Sequence, residues 1–173
     1  MPYPHLRRGR NLGKEKGGDK GVASVRDVAA RILRERGPMT AMKLQKLCYY
    51  AYGYHLAWEE RPLFPERFEA WANGPVCPEL YAAHRGRFQL DVGEILGDPE
   101  ALDKGERESV DLVLEGLGDY TAHQLSTMTH SEGPWVEARK RAAVAPLERS
   151  KEELRDEEIF EFFDALTSTD GQV

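Results

Sequence analysis

The side chains of this 173-residue sequence best able to attack or ligate are two cysteines and five histidines. Cys48 and His55 stand seven positions apart in one helical stretch, roughly 10 Å along a helix axis. A thiolate nucleophile needs its base within hydrogen-bond reach, so this pair forms no dyad. It reads as a buried thiol and a satisfied core histidine. Cys77 precedes Pro78 in a turn and is the more exposed-looking thiol; a place near a helix N-terminus favours a lowered pKa. Its nearest histidine, His84, lies one short helix away. His123 and His130 are also seven apart, with Glu132 just behind, and lack the His-Glu-x-x-His spacing of a metal helix. No Cys-x-x-Cys pair, zinc-ligand cluster or glycine-rich phosphate loop occurs. The reading is therefore no enzyme, with no catalytic residue, no cofactor and no metal; a thiol enzyme using Cys48 or Cys77 ranks last.

The frame for these residues is one globular domain with decorations. Hydrophobic residues make up 40% of the chain and charged ones 31%, with a formal net charge of −6. An acidic total argues against nucleic acid as the main partner. The apolar run from Leu47 to Trp58 is too short to span a bilayer, so no membrane partner is expected. The N-terminus lacks the apolar stretch of a secretory signal, and two cysteines make no disulfide framework; a reducing cytoplasm is the expected location.

Residues 1–21 differ from the rest. The first 20 hold six basic and two acidic side chains, four glycines and two prolines, which predicts a disordered basic arm. A helical domain is expected over residues 22–167 and a disordered tail over 168–173. Ser24 with Asp27 has capping-box spacing ahead of Val25, Val28, Ala29, Ile32 and Leu33, and Gly37-Pro38 ends that helix. Thr40 caps a second helix to about Trp58, apolar and aromatic beyond one face and so central. Residues 62–76 form a small extended insert: Phe68 to Ala72 alternates like a strand and ends at the turn Asn73-Gly74-Pro75. Further helices begin at Pro78, after Asp103, after Thr121 and at Gly133-Pro134. Ser150 with Glu153 is expected to cap the last. The fold class is mainly α.

Two sequence words carry a resemblance. Leu44-Gln45-Lys46-Leu47-Cys48-Tyr49-Tyr50-Ala51 is followed by Pro62-Leu63-Phe64, Glu69-Ala70-Trp71-Ala72-Asn73-Gly74-Pro75-Val76 and Glu79-Leu80-Tyr81. Later come Leu125-Ser126, Thr129-His130 and Pro134-Trp135. Together they resemble the Panacea-domain family of SocA-like antitoxins and phage-associated proteins, over about residues 25–165. The resemblance implies a mostly helical protein of a toxin–antitoxin system that neutralises a cognate protein toxin by direct contact. It leaves open whether binding blocks the toxin or delivers it to a protease or chaperone. Leu44, Lys46, Leu47, Tyr49, Tyr50, Pro62 and Leu63 are expected as motif and core. Trp71, Gly74, Pro75, Val76, Tyr81, His130 and Trp135 are expected at the partner contact. The alternative is a DNA-binding regulator using residues 25–36 and 41–58 as a helix–turn–helix, with Arg26, Arg31, Arg34 and Arg36 on the first helix.

Overall fold

The structure, a computed structural model, describes residues 3–8 and 22–169. Helix α1 (Val25–Arg36) opens with the expected capping box: Ser24 Oγ accepts from the Asp27 N–H, and the Asp27 carboxylate accepts from the Ser24 N–H. It ends at Gly37, φ 81°. Strand β1 (Met39–Thr40) leads directly into α2 (Ala41–Glu59), whose Thr40 cap accepts from the Lys43 N–H. Strands β2 (Glu69–Trp71) and β3 (Gly74–Val76) form an antiparallel hairpin with Ala70 opposite Pro75. Helix α3 (Pro78–His84) follows, then β4 (Gln89–Leu90), which pairs antiparallel with β1. Helices α4 (Lys104–Leu117), α5 (Ala122–Thr129), α6 (Gly133–Ala142) and α7 (Asp156–Thr169) complete a mainly α domain.

Helix α2 is the axis. Fourteen of its 19 residues are buried, and α1, α4, α5 and α7 pack around it. Its tyrosines build an edge-to-face aromatic core: Tyr49 meets Phe68 at 5.3 Å and Phe163 at 5.9 Å, and Tyr54 meets Phe163 at 5.0 Å between centroids. Leu44, Leu47 and Leu63 are fully buried, whereas Pro62 lies on the surface.

Several expectations give way. The last helix starts at Asp156, not at Ser150, because residues 152–154 are spent on the hairpin edge. The Ala70 N–H donates to the Glu152 carbonyl at 2.8 Å, and the Leu154 N–H donates to the Phe68 carbonyl at 2.9 Å. The final helix runs on to Thr169, two residues into the expected tail, and residues 170–173 lie outside the described residues. Of the arm expected to be disordered, residues 3–8 lie against the domain with Leu6 buried; residues 9–21 lie outside the described residues.

Candidate functional site: a hairpin held by its carbonyls

The hairpin is too short to hold itself. Ala70 lies opposite Pro75 but turns its backbone groups away from it, its N–H donating to the Glu152 carbonyl at 2.8 Å. Side chains from distant helices supply donors instead. Arg139 Nη1 donates to the Ala70 carbonyl at 3.0 Å, Trp135 Nε1 to Trp71 at 2.8 Å, and Ser126 Oγ to Asn73 at 2.7 Å. His130 Nε2 lies 3.1 Å from the Ala72 carbonyl. Four successive carbonyls are thus met from one face of α5 and α6. From α2, Lys46 Nζ donates to the Pro75 carbonyl at 3.1 Å. Gln45 closes the far end, donating to the Cys77 carbonyl at 3.2 Å and accepting from its N–H at 2.9 Å. A buried carbonyl without a partner costs about 1–3 kcal/mol, so the donors to the buried residues Ala70, Pro75 and Cys77 are each worth a place in the fold.

Gly74 makes the close approach possible. Its φ is 113°, a region L side chains rarely adopt, and a Cβ there would lie 2.6 Å from Thr129 Oγ1 and 2.7 Å from Lys46 Cε. Any side chain would drive Lys46 off the Pro75 carbonyl. Lys46 is itself 1% exposed, and burial pushes its ammonium down to about 7. His130 is exposed, with Nδ1 2.6 Å from the Ser126 carbonyl and its ring 4.5 Å from Trp135. Both ring nitrogens face carbonyl acceptors, and the tautomer sets which of them donates.

Behind the clamp, Glu132 takes the N-cap position of α6 but turns its side chain to two tyrosines instead of the helix end. It is 1% exposed and accepts from Tyr50 Oη at 2.6 Å and Tyr3 Oη at 2.5 Å, both on Oε2. Burial pushes its carboxyl up to about 7, against these two hydrogen bonds. Its Oε1 and the Tyr49 hydroxyl have no partner among the described residues.

The outer surface of the hairpin is aromatic. Trp71, Val76 and Tyr81 are half-buried; Trp71 packs edge-on to Tyr81 at 5.0 Å, and its Nε1 donates to the Glu69 carboxylate at 2.8 Å. The seven residues expected at a partner contact therefore divide. Gly74 and Pro75 are buried and Trp135 is 8% exposed, so these three belong to the clamp. Trp71, Val76, Tyr81 and His130 reach the surface.

Burial decides the remaining expectations. Cys77 is fully buried rather than exposed, since Gln45 takes both its backbone groups; burial raises its thiol to about 12 despite the neighbouring helix N-terminus. Cys48 is likewise buried and raised. His55 is a core histidine, as expected: Nδ1 lies 2.7 Å from Ser109 Oγ, and burial lowers its pKa to about 3. The helix–turn–helix reading fails on α2, which is wrapped by the domain and has no face to offer a groove. Its α1 arginines are already engaged: Arg31 with Asp111, Arg34 with Glu100 and Arg36 with Asp119. Among the described residues no group of three or more His, Cys, Asp and Glu could hold a metal ion, and no helix is long and apolar enough to cross a membrane.

Fold and site together define a helical domain organised around a clamped hairpin. The chain belongs to the antitoxin SocA-like family with a Panacea domain, whose model matches residues 44–136, from the first clamp residues on α2 to just past Trp135. A curated protein similar to it is Antitoxin SocA of Caulobacter vibrioides (strain NA1000 / CB15N), 34% identical over 110 residues. The alignment covers 57% of this chain and 58% of that protein, so the chain spans less than two thirds of its relative. No solved structure matches.

Proposed function

We propose that this chain is an antitoxin that neutralises a protein toxin by direct contact, through the surface formed by Trp71, Val76, Tyr81 and His130. The observation that carries the reading is the clamp. It fixes a two-stranded ribbon through six carbonyls and turns an aromatic face outward, an anchor that loses little conformational entropy on binding. Family membership and the similarity to Antitoxin SocA supply the kind of partner. The protein acts as a binder and not as an enzyme in this reading, in keeping with its two buried, high-pKa thiols.

Co-expression with each neighbouring gene product that arrests growth alone tests it. Growth is restored by this chain for one such product; failure with all of them removes the proposal. Blockade requires only the two purified proteins, while delivery requires an added protease, so the same pair separates the modes. Val76→Asp tests the surface: the melting temperature stays within about 2 °C, and the partner is bound about 2 kcal/mol more weakly. Unfolding would instead assign Val76 to the architecture.

A further inference from the structure

Helix α4 carries two glycines, Gly105 in its first turn and Gly116 in its last, about three turns apart and therefore on one face. The N-terminal segment occupies the room they leave. A Cβ on Gly116 would lie 2.5 Å from Leu6 Cδ2 and 2.8 Å from Pro4 Cγ, and one on Gly105 would lie 2.6 Å from Glu59 Oε1 and 3.2 Å from Arg8 Nη2. Arg8, its side chain 6% exposed, donates to Ser109 Oγ at 2.6 Å, pairs with Glu108 at 3.1 Å and contacts Glu59. At the other end Tyr3 packs on Phe162 and donates to Glu132, whose second oxygen is buried and unpartnered among the described residues. The groove thus offers carboxylates at both ends and an apolar floor between. The segment lying in it answers with a phenol, a leucine and a guanidinium. Of the six residues Leu6 alone is buried, so little apolar area holds the segment down. Such terminal segments open at the low end of a protein's stability range.

We propose that this groove is a docking site for an extended peptide segment carrying a phenol and a guanidinium five residues apart around an apolar side chain, and that residues 3–8 are the occupant supplied by the chain itself, displaced when a partner presents a segment of that chemistry. The proposal goes beyond the antitoxin reading and does not depend on it.

The test uses the full chain and a fluorescent peptide copying residues 2–9. Tyr3→Ala, Leu6→Ser and Arg8→Ala together release the cis segment. The triple variant binds the peptide at least tenfold more tightly than the parent chain. Gly116→Leu added to it abolishes binding, as does changing the peptide's tyrosine to phenylalanine and its second arginine, the copy of Arg8, to alanine. Equal affinity of parent and triple variant, or equal binding of a scrambled peptide, overturns the proposal. A parent that is dimeric and becomes monomeric on the triple substitution also overturns it, assigning the segment to exchange between copies. Should the triple variant lose its cooperative melt, hydrogen exchange on the parent decides. Millimolar peptide speeds exchange at residues 3–8 if the site is shared, and leaves it unchanged if the proposal is wrong.

Discussion

The domain holds two ribbons of nearly equal size by different means. The β2–β3 hairpin has five of its carbonyls, and that of Cys77 just beyond it, met by side chains from α2, α5, α6 and the α5–α6 turn, whereas β1–β4 rests on its short ladder and one bond from the Ala41 N–H to the Phe88 carbonyl. Around the first, residue identity is dictated: a glycine at positive φ, a lysine, a tryptophan, an arginine. Around the second, Phe88 is 81% exposed and Gln89 is exposed too. Secondary structure alone does not distinguish them. The source of the hydrogen bonds does, and it marks which ribbon can carry a sequence signature.

Two glycines with positive φ put that contrast to its strongest test. Gly74 and Gly93 have φ of 113° and 85°, but a Cβ at Gly93 would meet nothing within 4 Å. Gly74→Val combines strain with a clash against Thr129 and Lys46 and should cost roughly 3 kcal/mol or more. Gly93→Val carries the strain alone, on the order of 1–2 kcal/mol. Chemical denaturation of both variants measures the difference, and equal losses would mean the clamp has slack.

Single donors come next. Trp135→Phe keeps the ring against His130 but leaves the Trp71 carbonyl short of a donor, a loss of about 1–2 kcal/mol. Arg139→Met keeps a long buried side chain but removes the donor to Ala70 together with those to the Ala145 and Pro146 carbonyls, so it should cost more than the single bond of Trp135→Phe. A double variant losing clearly more or less than the sum would show that α6 holds the hairpin as one unit.

The pH dependence divides between two buried groups of the same region. Glu132, raised to about 7 in the fold, stays protonated there while the unfolded chain ionises, so its contribution is full below the unfolded value and falls away as pH rises to about 7. Lys46, lowered to about 7, is neutral in the fold while the unfolded chain is charged, so stability rises again from about 7 towards 10.5. Each slope is at most about 1.4 kcal/mol per pH unit. His55, lowered to about 3, adds an opposing rise with pH up to its unfolded value, so the difference between variant and parent is the quantity to read. Glu132→Gln should flatten the acid-side fall, and Lys46→Met the alkaline-side rise. A Lys46→Met profile that parallels the parent's would mean the ammonium remains charged in the fold.

How much of this was legible follows from where each signal resides. Helices with local caps, Ser24 with Asp27 and Asp103 with Glu106, could be read because the capping atoms are three residues apart. Ser150 and Glu153 have that same spacing, yet residues 152–154 pair with β2, and tertiary pairing overrides the cap. Strands β1 and β4, two residues each and fifty apart, have no periodicity to detect. The signature words were visible, but which of their residues face inward was not, since Gly74 and Pro75 look like any exposed turn. Gln45 sat inside a quoted word, and its grip on Cys77 is a long-range bond that the sequence does not display. Arg139 was missed because Arg139-Lys140-Arg141 reads as the solvated basic end of a helix; its four-residue spacing from Trp135 was the available signal.

The smallest effect belongs to the open ribbon. Phe88→Ser removes a large exposed ring without touching the Phe88 carbonyl that accepts from Ala41, so the melting temperature should move by less than about 2 °C. Its value lies in the binding readout. Phe88 is the most exposed large apolar side chain of this ribbon, an alternative point for a partner to bury area. If the partner contact is the clamped hairpin, Phe88→Ser leaves affinity unchanged while Val76→Asp weakens it. If the order reverses, the clamp is a structural device whose dictated residues serve the fold alone, and the contact moves to the ribbon where identity is free. Measuring one partner against these two variants therefore decides whether the stringency of the hairpin reflects what it binds or only how it is held.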